Sequence, residues 1–276
     1  MVNVREPLDP KISLWHFLAY VLRCERERHG LSLTQCGQII GAARSTVSNI
    51  EAARLKIDVR QAQKLDERYG LPRLCETLLW FAQMGHDPMW FQQYTQYESR
   101  ADVIRVYQGQ VIPVPLQTED YARAFVELGD SADVEAAIAA RMARQKALLT
   151  PSKGPMLIVL LDENALHRPV GGPQVMAAQL QRLLELGRRS RVIIRVIPRS
   201  VGAYDGLDGS FQIMSLESRD IAYIGALRGG RLVEVPSEVR ELGMDFERIG
   251  AIALSREESR ALIAKVMEEY LDPQMA

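Results

Sequence analysis

The chain has 276 residues, enough for two domains of ordinary size with a core in each. Its 34 lysines and arginines stand against 35 aspartates and glutamates, a net charge of -1 that excludes a chain-wide polycation and confines any nucleic-acid surface to a local patch. No apolar run approaches the ~20 residues that span a bilayer, and residues 1–9 do not read as a secretory leader, so a cytoplasmic protein without a membrane partner is expected. The three cysteines, Cys24, Cys36 and Cys75, form no CxxC and fall on apolar helical positions, which predicts buried reduced thiols.

From Leu14 to about Gly85 the pattern is helical and punctuated by glycine. "LWHFLAYVLRCERERHG" places Leu14, Leu18, Val21 and Leu22 on one face, with Gly30 set to take a left-handed cap. "TQCGQIIGAARSTVSNIE" reads as two short helices hinged on Gly41. "DVRQAQKLDERYG" has Asp58 as N-cap and Gly70 past its end. "LPRLCETLLWFAQMG" has Pro72 in a first-turn position and Gly85 past its end. Five short helices and no strands are expected here.

A polar and aromatic stretch, "HDPMWFQQYTQYESR", marks a boundary and includes a candidate connecting helix. A helical segment from Thr118, a helix cap, to Leu149 follows. Short β-branched runs then appear: "MLIVLLDE" from Met156, "VIIRVIP" from Val192, "SFQIMSL" from Ser210, "IAYIGAL" from Ile221 and "RLVEV" from Arg231. "GPQVMAAQLQRLLELG" between the first two is a helix, which makes one parallel crossover. The next three strands read as an antiparallel meander. Two helices close the chain, the last opened by a Ser255–Glu258 capping box. The expected fold class is α+β with two domains: residues 1–88, an all-α five-helix helix-turn-helix domain, and residues 89–276, a mixed α/β domain.

In the stretch hinged on Gly41, Gly37 supplies a small contact between helices, and Cys36, Ile40, Val47 and Ile50 supply the core. That leaves Arg44, Ser45, Ser48 and Asn49 on the outer face. All four donate hydrogen bonds, and arginine and asparagine pair bidentately with guanine and adenine. Arg44 lies in a first turn, where the helix dipole disfavours a cation, after Ala43, a poor N-cap. An isolated arginine there would be an ordinary surface cation; inside this pattern it reads as a base contact. Thr34, Gln35, Arg54 and Lys56 are the candidate phosphate contacts. From Arg23 to Arg73 there are ten basic residues against six acidic ones, an excess of four that a solvated helical surface would also produce.

"LSLTQCGQIIGAARSTVSNIEAARLKID" resembles the DNA-binding module of Xre-type helix-turn-helix regulators over residues 14–85, with Ala43 where that family commonly has serine and Cys36 where it has leucine. The resemblance implies Arg44, Ser45, Ser48 and Asn49 at bases, Gln35, Arg54 and Lys56 at phosphates, and dimers on near-palindromic operators. "VIPVPLQTEDYARAF", "RMARQKALL", "LDENALHRPVGGPQVMAAQLQRLLEL" and "FERIGAIALSREESRALI" resemble the uncharacterised C-terminal domain of an actinobacterial group of such regulators, the WhiJ-like proteins. That resemblance implies a small partner protein from a neighbouring gene, in an arrangement likened to toxin and antitoxin pairs.

In the second domain, the best candidate ligand or partner site lies beyond the crossover strands: Glu163, His167 and Arg168 after the first, Tyr204, Asp205 and Asp208 after the second. The plainer reading is a glycine-rich loop with a solvated Glu163–Arg168 ion pair. Phosphate cradles, a nucleophile elbow and HExxH are lacking, and His16, His29, His86 and His167 have no metal-ligand spacing, so neither catalysis, metal nor cofactor is expected. His167 near Asp162 and Glu163 is the one acid–base candidate.

The sequence therefore predicts a DNA-binding transcriptional regulator, a repressor acting on double-stranded DNA as a homodimer. Its C-terminal domain would sense a small-molecule effector or a small partner protein, and it would be nucleoid-associated when DNA-bound. The alternative is an antitoxin-like protein-interaction module in which DNA binding is secondary.

Overall fold

Ser13 opens the first helix, α1 (Leu14–Arg28), by accepting a hydrogen bond from the His16 amide. Gly30 ends it at φ 62°: its own amide reaches the Glu27 carbonyl and the Leu31 amide reaches that of Arg26, satisfying two of the last-turn carbonyls. Reciprocal Ser32–Gln35 bonds start α2 (Leu33–Ile40), which ends on left-handed Gly41, and α3 (Arg44–Ile50) follows. Asp58 and Gln61 box the start of α4 (Val59–Tyr69), which stops at Gly70, φ 65°. Next come α5 (Leu74–Met84) and α6 (Trp90–Arg100). Leu18, Leu22, Cys36, Ile40, Val47, Ile50, Leu65 and Leu79 form one buried cluster in the helical unit. Five helices precede the undescribed residues 85–89, as expected, and the connecting helix follows them.

Pro72 is not in a first turn. Arg73, at φ 59°, separates it from α5, and the helix is capped from a distance instead: the buried Asp66 of α4 accepts from the Cys75 amide at 2.7 Å and the Glu76 amide at 3.0 Å. With that carboxylate occupying the exposed amides, a first-turn proline has no role to fill.

The computed structural model describes residues 8–84, 90–129, 133–150, 154–225 and 230–272. It divides into two compact units, residues 1–93 with 230–233, and residues 94–229 with 234–276. The expected boundary at 88/89, Gly85 and His86 lie outside the described residues.

In the second unit β1 (Val103–Gln108) leads through α7 (Glu119–Val126), capped by Thr118 as expected, and α8 (Val134–Leu148) to β2 (Met156–Asp162). The short α9 (Asn164–His167) and α10 (Pro173–Leu186) lead to β3 (Val192–Ile197). Then come β4 (Phe211–Ser215) and β5 (Asp220–Ile224), and, after β6 (Arg231–Val233), which is grouped with the first unit, α11 (Pro236–Ile252) and α12 (Arg256–Leu271) with its Ser255 capping box.

The sheet has the order β3-β2-β1-β4-β5-β6. β1, β2 and β3 run parallel, with Val106 opposite Val159 and Val159 opposite Ile194, while β4 is antiparallel to both β1 and β5. The fold is α+β, a helical N-terminal part and a C-terminal mixed sheet with helices.

The sheet also differs from expectation at its centre. The sequence reading gave one crossover and no strand before Met156, whereas β1 joins the parallel and antiparallel halves and makes a second crossover through α7 and α8. Buried Ile104, Val106 and Tyr107 on β1 and Leu157, Val159, Leu160 and Leu161 on β2 explain why the centre is apolar: a parallel core strand is covered on both faces. No helix among the described residues is long and apolar enough to cross a membrane.

Candidate functional site

Two places combine exposed chemistry with a fixed backbone, one in each unit. In the first, α2 and α3 are held at close range. The Ala42 amide donates to the Gly37 carbonyl at 2.8 Å, Gly41 turns the chain at φ 69°, and a Cβ on Gly37 would lie 2.4 Å from the Ala42 oxygen. Val47 and Ile50 face inward, which turns Arg44 and Ser45 fully outward and leaves Ser48 and Asn49 half-buried beside them. Ala43 provides no side-chain cap.

The far end of α3 is fixed by two devices the sequence reading missed. Ala53 adopts a left-handed φ of 54°, so that the Ala53 and Arg54 amides return to Ile50 and Asn49. Glu51, nearly buried, receives Arg26 of α1 in a two-pronged ion pair, Nε to Oε1 at 2.6 Å and Nη2 to Oε2 at 2.8 Å. In the sequence Arg26 and Glu51 are only two of the charges between Arg23 and Arg73.

This pairing redistributes the excess of four. Arg23 is bound to Glu27, Arg28 to Glu25 and Arg73 to Glu76, whereas Arg44 and Arg54, at the two ends of α3, are exposed and have no carboxylate partner among the described residues. Thr34 is exposed at the start of α2. Gln35 accepts from Ser32 through Oε1 in the capping box, which leaves its amide nitrogen outward. Lys56 is engaged within the unit: Nζ donates to Gln93 at 2.8 Å and lies 4.6 Å from the centre of the Trp15 ring. Burial pushes the Cys36 and Cys75 thiols above the ordinary thiol range.

The second place is a cleft of ≈ 470 Å³ beyond the C-terminal ends of β1, β2 and β3. Of the six residues expected there, His167 and Arg168 line it. Glu163 lies behind: one oxygen meets His167 Nε2 at 3.3 Å and the other accepts from the Arg199 amide at 2.7 Å, so the expected Glu163–Arg168 pair is replaced. Arg168 is exposed, without a side-chain partner among the described residues.

Tyr204 turns inward, donating to the buried Asp162 at 2.5 Å and meeting the Tyr107 hydroxyl at 2.9 Å. Burial and the Asp162 carboxylate hold its phenol protonated far above the usual range. Asp205 and Asp208 belong to a tight turn, residues 205–208, whose Gly206 and Leu207, with Gly209 beyond it, line the cleft in their place.

Asn164, Gln110 and Arg199 also line the cleft and were missed. Arg199 lies just past the "VIIRVIP" strand, where a search confined to glycine-rich loops passes over it; Gln110 follows β1, the strand not foreseen. Among the described residues no cluster of three or more His, Cys, Asp or Glu is arranged to hold a metal ion.

Fold and sites together define a two-unit α+β protein with a helical unit and a mixed-sheet unit whose parallel strands end at an open cleft. Residues 91–265 match the family described as Domain of unknown function (DUF5753), and the chain belongs to that family. Comparison with curated proteins and with solved structures yields no match.

Proposed function

We propose that the chain is a sequence-specific DNA-binding transcriptional regulator, a cytoplasmic repressor of the Xre-type, WhiJ-like kind rather than an enzyme. In this reading α3 is the recognition helix of a helix-turn-helix, a homodimer binds a palindromic operator, and the sheet unit senses a small effector or a small partner protein. The observation that carries it is the charge placement around α3. Arg44 and Arg54 are exposed without carboxylate partners among the described residues, with Ser45, Ser48 and Asn49 between them, while the arginines of α1 are each bound to a glutamate. An unpaired cation in a first turn opposes the helix dipole by ~0.3–1 kcal/mol, and a phosphate or guanine edge reverses that sign.

The test is selection of a binding site from random duplex DNA by the full chain, followed by affinity measurements across a salt series. Arg44→Ala and Asn49→Ala should each lower affinity for the selected site by ~1–3 kcal/mol, about 5- to 150-fold, without changing the Tm. Arg54→Ala should weaken all duplexes alike and reduce the salt slope by ~1. Failure to enrich any sequence, or wild-type affinity in both reading-face variants, overturns the proposal.

A second reading, a protein-docking module, draws on Phe17 and Tyr20 of α1 and Trp80 and Phe81 of α5, which stay 40–52% exposed. It predicts a complex with a small protein that survives Arg44→Ala, together with no sequence-selective DNA binding.

A further inference from the structure

The cleft at the ends of β1, β2 and β3 is where the sheet changes direction. From β1 the chain moves outward to β2 and β3, then returns to lay β4 on the other side of β1. Such a reversal leaves a crevice beyond the carboxyl ends of the strands, and ligands of open α/β sheets bind there. Its ≈ 470 Å³ is within the range that accepts a small organic molecule.

The lining has a definite chemical sign. Arg168, Arg199 and His167 contribute to it, and none of its described residues is aspartate or glutamate. Three carboxylates beside the lining are engaged: Glu163 holds His167 and the Arg199 amide, Glu269 lies 3.8 Å from His167 Nδ1, and Asp162 takes Tyr204 and the Asn164 amide; Asp205 and Asp208, on the turn that carries Leu207, are exposed and are not among the lining residues. Arg199 is aimed by a 2.9 Å bond from Nε to the Asn164 oxygen, which leaves its two terminal nitrogens for another acceptor.

One wall is apolar and fixed. Leu207 is 54% exposed at the cleft, and it follows Gly206, where a Cβ would lie 2.5–2.6 Å from Tyr107 and Tyr204 ring and hydroxyl atoms. The loop therefore rests directly on the Tyr107–Tyr204–Asp162 network, so Leu207 is presented by a pinned backbone.

We infer that this cleft binds a small organic oxyanion, its phosphate or carboxylate held by Arg168 and Arg199 and its apolar part against Leu207. The inference deepens the sensing role proposed for the sheet unit and names the ligand class it would take. Guanidinium groups suit both oxyanions, because two parallel N–H donors match two oxygens.

The experiment is calorimetric titration of the full chain with phenyl phosphate, benzoate and benzylammonium at millimolar concentration. One saturable site for phenyl phosphate, benzoate or both is expected, and none for benzylammonium; the preferred anion identifies the head group. Arg168→Ala and Arg199→Ala should each weaken binding by about 10- to 100-fold, the loss of one charge-assisted contact, with an unchanged ligand-free Tm. Arg248→Ala, an exposed arginine paired with Asp245 and not part of the cleft lining, should bind as the parent does. Absence of saturable binding by either anion, equal binding of benzylammonium, or wild-type affinity in both cleft variants overturns the inference. Operator affinity measured without any anion separates the two proposals: a chain that binds DNA but no anion refutes only this one, and the converse refutes only the DNA reading.

Discussion

Replacing Gly37 by alanine tests the closeness of α2 and α3 with a single methyl group. Gly37 has an ordinary helical backbone, so alanine brings no conformational strain, and in an open helix it would add ~0.5–1 kcal/mol of stability. Here the new Cβ would lie 2.4 Å from the Ala42 carbonyl oxygen, where ordinary contact begins at 3.4 Å. The turn must therefore retreat by roughly 1 Å, at an overpacking cost of ~1–3 kcal/mol. That retreat also weakens the 2.8 Å bond from the Ala42 amide to Gly37, worth ~0.5–1.5 kcal/mol. Less the gain in helix propensity, Gly37→Ala should destabilise the helical unit by ~1–3 kcal/mol, a fall in Tm of roughly 5–20 °C for a unit of this size. Differential scanning calorimetry gives the number. Gly243→Ala in α11, where a Cβ meets nothing within 4 Å, is the control and should be neutral or stabilising by up to ~1 kcal/mol. If Gly37→Ala melts at or above the parent temperature, the tight α2–α3 approach does not exist in solution.

Ala53→Gly relieves a left-handed alanine and should stabilise the same unit by ~1 kcal/mol, read from urea unfolding; a loss of stability would contradict the φ of 54°. Arg26→Met leaves Glu51 buried and alone and should cost ~3–5 kcal/mol, whereas adding Glu51→Leu to it should restore most of the loss; additive effects in that cycle would deny the coupling. Ala43→Ser places a capping hydroxyl on a backbone already extended at φ -70°, ψ 156° and should add ~1 kcal/mol to the helical unit by the same assay; no gain would mean that the α3 amides already have a partner. Tyr97, pushed up to about 12 from an ordinary 10.0 by burial and by Glu234, ties stability to alkaline pH. The unfolded phenol ionises first, so this contribution is intact below pH 10.0 and declines between 10.0 and about 12, by at most ~1.4 kcal/mol per pH unit for each such group. Tyr69, Tyr94 and Tyr204 are shifted the same way, so phenolate absorbance should rise together with unfolding; titration of all the tyrosines in the folded chain near 10.0 would refute this.

What the sequence disclosed was short in range. Asp58, Gly30, Gly41, Gly70, Thr118 and Ser255 act on amides or carbonyls within a few residues, and each does in the structure what its local pattern predicts. The features missed act across the chain. Asp66 caps a helix nine and ten residues away, and Arg26 reaches Glu51 across 25. β1 pairs with strands more than 50 residues distant on one side and more than 100 on the other. Its run "VIRVYQ" is six residues long and lies only two residues past a helix, just after a polar and aromatic stretch that reads as a boundary, so Asp102 before it and Gly109 after it are weak marks of a strand. The cleft was legible as a location, because it follows from strand ends, but its lining was not. Which of Asp205, Gly206, Leu207 and Asp208 face inward depends on a tight turn resting on Tyr107, a residue of the unforeseen strand.

Unpaired surface cations are not in themselves remarkable marks of function. Arg60, Lys64 and Arg68 on α4 also lack carboxylate partners among the described residues, and on a solvated helix they need no explanation. Arg44 differs because its position is unfavourable without a partner. It opposes the dipole of a helix whose N-cap is alanine, so two small penalties, ~0.3–1 and ~1 kcal/mol, coincide on one turn. The opposite end of that helix is held at once by a left-handed Ala53 and a buried ion pair. A surface under no constraint would drift toward a serine cap and a carboxylate in the first turn, which together strengthen the helix and repel DNA. Retaining arginine after alanine while the distal end is fixed in place is the arrangement expected when an anion outside the chain supplies the missing interaction. That places the stronger argument for a DNA-reading face in the local energetics of α3, and not in the net charge of a chain that is nearly neutral.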